Sequence, residues 1–179
     1  MKTFIASGIA AAALVSAASA DVTYTFTSQT WTGFNFNEAY AAGSLTGTLT
    51  GATVNATLNA SSGFTYADDL CVYINPSPLS LGGLLQVGGF SNLNATQRYS
   101  WANGGSSAPG TTVTGTKTLT TGIDLAANPL QSIWVGNGYG AAGTSGTWTG
   151  TITLIGVVPA PGAVALLGLA GLTGRRRRA

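Results

Sequence analysis

From Val22 onward the chain alternates apolar and polar residues with a period of two. The segments Val22 to Thr27, Ser44 to Thr50, Ala52 to Leu58, Thr112 to Leu119 and Thr147 to Ile155 all follow this pattern, with threonine filling most polar positions. Such alternation predicts half-buried strands that turn threonine to solvent. Shorter, more apolar runs at Leu70 to Ile74, Leu84 to Val87 and Leu130 to Val135 are further strand candidates. Turns are expected at Asn75 to Pro78, Asn103 to Gly110 and Gly136 to Gly138. No stretch between Asp21 and Val157 carries a 3.6-residue period, and the one helical competitor there, Asn37 to Ala42, is too short to hold a helix. About eight to ten short strands bounded by turns predict an all-β fold, an antiparallel β-sandwich of jelly-roll type.

Both ends of the chain break the alternation. Lys2 precedes an apolar run from Phe4 to Val15, and Ala18-Ser19-Ala20 forms a small-residue cleavage site before Asp21. This is the pattern of a secretory signal, which predicts removal of residues 1–20 by signal peptidase and a mature chain beginning at Asp21. At the other end Pro159-Ala160-Pro161 is followed by an apolar run to Gly174, then by Arg175, Arg176, Arg177, Arg178 and Ala179. A helix from Pro161 to Gly174 would measure about 21 Å at ~1.5 Å per residue. That is short of the roughly 30 Å hydrocarbon core, although counting from Ile155 nearly closes the gap. Arginine near the bilayer centre costs roughly 2.5–3.5 kcal/mol, so the cluster is expected to stay cytoplasmic and the preceding domain to lie outside. The expected organisation is a signal peptide at 1–20, a β-sandwich at 21–157 and a C-terminal tail with a membrane helix at 158–179.

A proline motif, a brief apolar helix and a terminal arginine cluster together resemble the PEP-CTERM sorting signal of bacterial exosortase substrates. The resemblance implies processing by an exosortase-type transpeptidase at Pro159, Ala160 and Pro161. It also implies transient anchoring in the membrane through the C-terminal helix, then delivery to the cell surface or extracellular polysaccharide. Ala160 stands where that family carries glutamate. A permanent, uncleaved anchor is the alternative reading of the same tail. A second resemblance rests on Asp69-Leu70-Cys71-Val72, Leu85 to Phe90 and Gly146-Thr147-Trp148. It is similar to the jelly-roll P-type accessory domains of secreted proteases and bears on the fold alone.

Charge changes the picture once the tails are set aside. From Asp21 to Val158 the cations are Arg98 and Lys117 and the anions are Asp21, Glu38, Asp68, Asp69 and Asp124, leaving −3 where the whole chain carries +2. Without clustered Lys and Arg, no nucleic-acid partner is expected. The chain has no histidine, which excludes His-based triads and His-ligated zinc, and its single cysteine, Cys71, excludes an internal disulfide. Cys71 is read as a buried small hydrophobe, with an intermolecular disulfide or an exposed thiol as the alternatives. The residues call for no cofactor and no enzymatic activity. Asp68 and Asp69 are a candidate calcium pair, and with Glu38 they are the only carboxylates considered for a secreted hydrolase. Trp134 and Trp148, within strands, are expected in the core. Trp101 and Tyr139, in loop-like stretches, are the candidate ligand surface for a carbohydrate-binding, lectin-like module. The leading expectation is a structural or adhesive surface protein, associated with exopolysaccharide through a threonine-rich, charge-poor exterior.

Overall fold

The computed structural model describes residues 21–77 and 82–162. Ala18, Ala20 and the rest of the expected signal, the C-terminal apolar run and Arg175 to Arg178 lie outside the described residues. Among the described residues there are nine strands: β1 (Val22–Thr32), β2 (Phe36–Tyr40), β3 (Leu45–Ser62), β4 (Leu70–Asn75), β5 (Leu85–Val87), β6 (Gln97–Tyr99), β7 (Thr112–Asp124), β8 (Ser132–Asn137) and β9 (Ser145–Pro159). They form a four-stranded sheet in the order β1-β9-β3-β7 and a five-stranded sheet in the order β2-β8-β4-β5-β6. Every pairing is antiparallel except β5 with β6. The protein is therefore all-β and sandwich-like. No helix among the described residues is long and apolar enough to cross a membrane.

Alternation explains the four-stranded sheet. Ala52, Val54, Ala56 and Leu58 of β3 are buried, as are Trp148, Ile152 and Leu154 of β9, and they meet Leu70, Val72, Ile74, Ile133 and Val135 of the other sheet in one core. The intervening residues face out and form hydroxyl rows across the strands. Thr23, Thr153, Thr53 and Thr116 stand side by side on β1, β9, β3 and β7, and Thr25, Thr151, Asn55 and Thr114 form the next row. Within the first row Thr23 and Thr153 share a hydrogen bond of 2.8 Å, as do Thr53 and Thr116.

The five-stranded sheet is different because both faces of its inner strands, β8, β4 and β5, are covered. All six residues of β4 are buried. Cys71 and Tyr73 point away from the main core and pack with Phe36 and Leu93 in a second cluster. The segment after β5 folds over this outer face. Gln86 ties it down, donating to the carbonyls of Gly88 and Ser91 and accepting from Leu93 N–H, while the Tyr73 hydroxyl donates to the Leu93 carbonyl.

Several expected boundaries move. The strands expected at Ser44 to Thr50 and Ala52 to Leu58 are one, β3, which begins at Leu45 and carries a register shift between Leu49 and Gly51. The segment weighed as a short helix is strand β2, paired with β8. Gly136 and Asn137, expected in a turn, close β8, whereas Leu130 lies outside that strand and is exposed. The last strand runs two residues past the domain boundary drawn at 157. Val158 pairs with Thr46, Pro159 with Leu45, and Ala160 N–H donates to the Ser44 carbonyl at 2.8 Å. β1 offers no partner beyond Leu154. Pro159, whose ring nitrogen points to that open side, therefore costs the sheet no hydrogen bond.

Candidate functional site

The two ends of the described domain emerge together. At one end of the four-stranded sheet β1 begins and β9 finishes, and the Asp21 carboxylate accepts from Gly156 N–H at 3.1 Å. The candidate cleavage residue Asp21 and the candidate processing residues Pro159, Ala160 and Pro161 thus share one pole. β9 reaches this pole from the opposite one over 15 residues, about 45 Å at ~3.3 Å per residue. At that opposite pole the turn after β3, the start of β4 and the loop after β5 enclose two adjoining hollows.

The floor of this pole is the segment Ala67–Leu70, a single 3-10 turn entering β4. All four of its carbonyls are engaged. Trp148 Nε1–H donates to Ala67, Gly89 N–H to Asp68, Gly138 N–H to Asp69 and Trp101 Nε1–H to Leu70, the last at 2.7 Å. The Asp69 carboxylate completes the framework by accepting from Tyr66 N–H at 2.8 Å and Phe90 N–H at 3.1 Å. Arg98 Nη2 donates to the Phe90 carbonyl at 2.8 Å, so the Phe90 backbone is held at both its N–H and its carbonyl. Gly88 sits where Trp101 meets Leu70, and a Cβ there would run into both bonded atoms.

One hollow, of about 290 Å³, is lined by Tyr66, Asp68, Asp69, Phe90, Arg98 and Trp101 with neighbouring backbone. The other, of about 200 Å³, lies among Phe64, Tyr66, Asp69, Phe90 and Tyr139. Phe90 and Tyr139 meet edge to face at 5.5 Å. Phe64 and Phe90 are 79% and 75% exposed, which is unusual for phenylalanine in a chain with a well-filled core. Burial raises the Asp69 carboxyl to about 6, against the opposing effect of the Tyr66 and Phe90 amides and with a further upward push from Asp68. Burial also raises the Asp68 carboxyl, opposed by a bond from its own backbone N–H.

The candidate residues of the sequence fall out unevenly. Tyr139 belongs to the aromatic wall. Trp101 does not offer a stacking face: it is 6% exposed, and its indole is spent on the Leu70 carbonyl beneath the first hollow. Trp148 is buried as expected, and half-buried Trp134 packs against the outer cluster with its Nε1–H on the Asn75 carbonyl. Asp68 and Asp69 both line the first hollow, but Asp69 spends its two oxygens on backbone amides and is a poor calcium ligand. No group of three or more metal-ligating side chains assembles among the described residues. Glu38, on β2, lines neither hollow. Sequence reasoning missed Phe64, Tyr66, Phe90 and Arg98. The available signal was Gly63-Phe64, where the alternation of β3 stops at a turn that carries a large aromatic. Comparison with protein-family models, curated proteins and solved structures gave no match.

Proposed function

We propose that this chain is an exported surface or extracellular-matrix protein with a non-enzymatic, structural or adhesive role in association with exopolysaccharide. In this reading signal peptidase removes residues 1–20. The apolar tail then holds the protein in the membrane until an exosortase-type transpeptidase acts at the proline motif. The observation that carries the proposal is the shared pole of Asp21 and Pro159 to Pro161. With both chain ends at that pole, a domain held there by its tail presents its far pole away from the membrane. Strand orders β1-β9-β3-β7 and β2-β8-β4-β5-β6 fit a jelly roll with β6 as an added edge strand. The threonine rows suit the adhesive role: hydroxyls repeat about 4.8 Å across the strands and about 6.6 Å along them, and no charged side chain stands in the two rows.

The sorting step is tested by replacing Arg175 to Arg178 with glutamine in the full chain and following its distribution between membrane, envelope and medium. The reading expects the wild-type chain in the envelope or matrix and the variant displaced from it. Identical distributions would count against the sorting tail. A second reading, a lectin-like module, is favoured by the aromatic hollows at the far pole.

A further inference from the structure

Phe64 breaks two rules at once. Its φ is +60°, in the left-handed region, and its ring is 79% exposed. Left-handed backbone costs a residue with a Cβ roughly 1–2 kcal/mol, and an exposed phenylalanine returns nothing to the core. The turn that holds it is closed by Thr65 N–H donating to the Ser62 carbonyl at 3.2 Å, with Gly63 also left-handed at φ +61°. Two successive left-handed residues make a tight hairpin-like turn, which ordinarily favours asparagine or glycine at both positions. A large aromatic kept there against local preference marks a site used for something other than stability.

Its surroundings indicate what that use is. Phe64, Tyr66, Phe90 and Tyr139 supply apolar ring surface around the second hollow. Asp68 and Arg98 lie beside them, lining the first. Arg98 spends one nitrogen on the Phe90 carbonyl. Neither the Asp68 carboxylate nor the Tyr66 and Tyr139 hydroxyls bond to another residue among those described. Acceptors and donors are thus left facing a cleft whose walls are aromatic, with Asp68 set in the bonded Ala67–Leu70 segment. A pyranose matches this arrangement, with a face of C–H groups to lie on a ring and a rim of hydroxyls that both donate and accept. A purely apolar ligand would strand Asp68 and Arg98. A strongly anionic one would meet Asp68 and Asp69 against a single arginine.

We propose that the far pole is a binding site for a neutral saccharide, stacked on Phe64, Tyr66 and Phe90 and hydrogen-bonded by Asp68 and Arg98. The proposal deepens the lectin-like reading and rests on the suggested association with polysaccharide, but not on export or tail processing.

The test titrates the purified full chain with a panel of oligosaccharides: neutral glucans, mannans, galactans and xylans, with uronic-acid oligomers as the charged arm. The variants are Phe64→Gly and Arg98→Gln. Saturable binding of a neutral oligomer is expected, weakened tenfold or more in each variant. Phe64→Gly is expected to melt no lower than wild type, because glycine accepts the left-handed turn, so its loss of binding cannot be assigned to unfolding. Saturation by uronic-acid oligomers alone would overturn the neutral class. Absence of saturable binding, or equal affinity in both variants, would overturn the site. Equal affinity with binding retained would still leave adhesion through the threonine rows standing.

Discussion

Replacing Trp101 with phenylalanine distinguishes the two placements of this side chain most sharply. Read as an exposed loop residue, it would change stability within about 0.5 kcal/mol, as surface substitutions do. The structure instead places it 6% exposed, with Nε1–H on the Leu70 carbonyl at 2.7 Å. Phenylalanine removes the donor and leaves that carbonyl short of a partner, which costs about 1–3 kcal/mol. The smaller ring also leaves a void of a few tens of Å³, worth on the order of 1 kcal/mol at ~24 cal/mol per Å³. Together the loss is about 2–4 kcal/mol, a large fraction of the 5–15 kcal/mol typical of a whole domain. At an m-value of ~2 kcal/mol per M, the middle of the usual range, this moves the urea midpoint down by about 1–2 M. Equilibrium urea unfolding followed by far-UV circular dichroism measures it directly. A loss under about 0.5 kcal/mol would show that the Trp101–Leu70 bond does not organise the far pole. The same reasoning makes Trp101→Ala a folding variant, so lost saccharide binding in it would not identify a ligand surface.

Other consequences are simpler to check. Phe64→Gly relieves a left-handed backbone costing roughly 1–2 kcal/mol, offset by about 0.5–1 kcal/mol of glycine entropy; the expected gain of up to about 1 kcal/mol is read from the same unfolding curves. The Asp69 carboxyl has its folded pKa raised to about 6 from 3.8, so the folded state holds the proton more tightly than the unfolded one. Its contribution to stability is therefore fully present below about pH 4 and lost as pH rises through 6; Asp69→Asn should remove that part of the pH slope, and an unchanged slope would rule it out. Cys71 is fully buried, and burial pushes its thiol well above the ordinary range. Iodoacetamide should label it only at the rate of unfolding, and labelling in the native protein within minutes would contradict the packing.

What could be read from the sequence follows from where period-two alternation operates. On β1, β3, β7 and β9 one face meets the core and the other meets water, so threonine and aliphatic residues alternate and the strands are visible. β4 and β8 announce themselves as apolar runs because both of their faces are covered. β2 and β6 are five and three residues long, too short for any period to register, and they owe their conformation to pairing with β8 and β5. The far pole was harder still. Its framework depends on which carbonyl each indole and each glycine amide reaches, a matter of tertiary contact that no local pattern records. Trp101 looks like loop surface because glycine, serine and asparagine surround it, yet a buried carbonyl thirty-one positions earlier draws it inward. Conversely, Phe64 and Phe90 look like core residues and stand in solvent. Period-two alternation carries the last strand only from Thr147 to Ile155, short of the proline motif. At an edge with no partner for its missing N–H, Pro159 extends the sheet instead.

The most direct measurement of the central reading is the intact mass of the protein recovered from the cell envelope. The account predicts a chain that begins at Asp21. It also predicts a C-terminus at or beyond Ala160, since residues through Pro159 are paired to β3 and Ala160 is bonded to Ser44, with Arg175 to Arg178 absent. A mass that retains either the first twenty residues or the four arginines would contradict it.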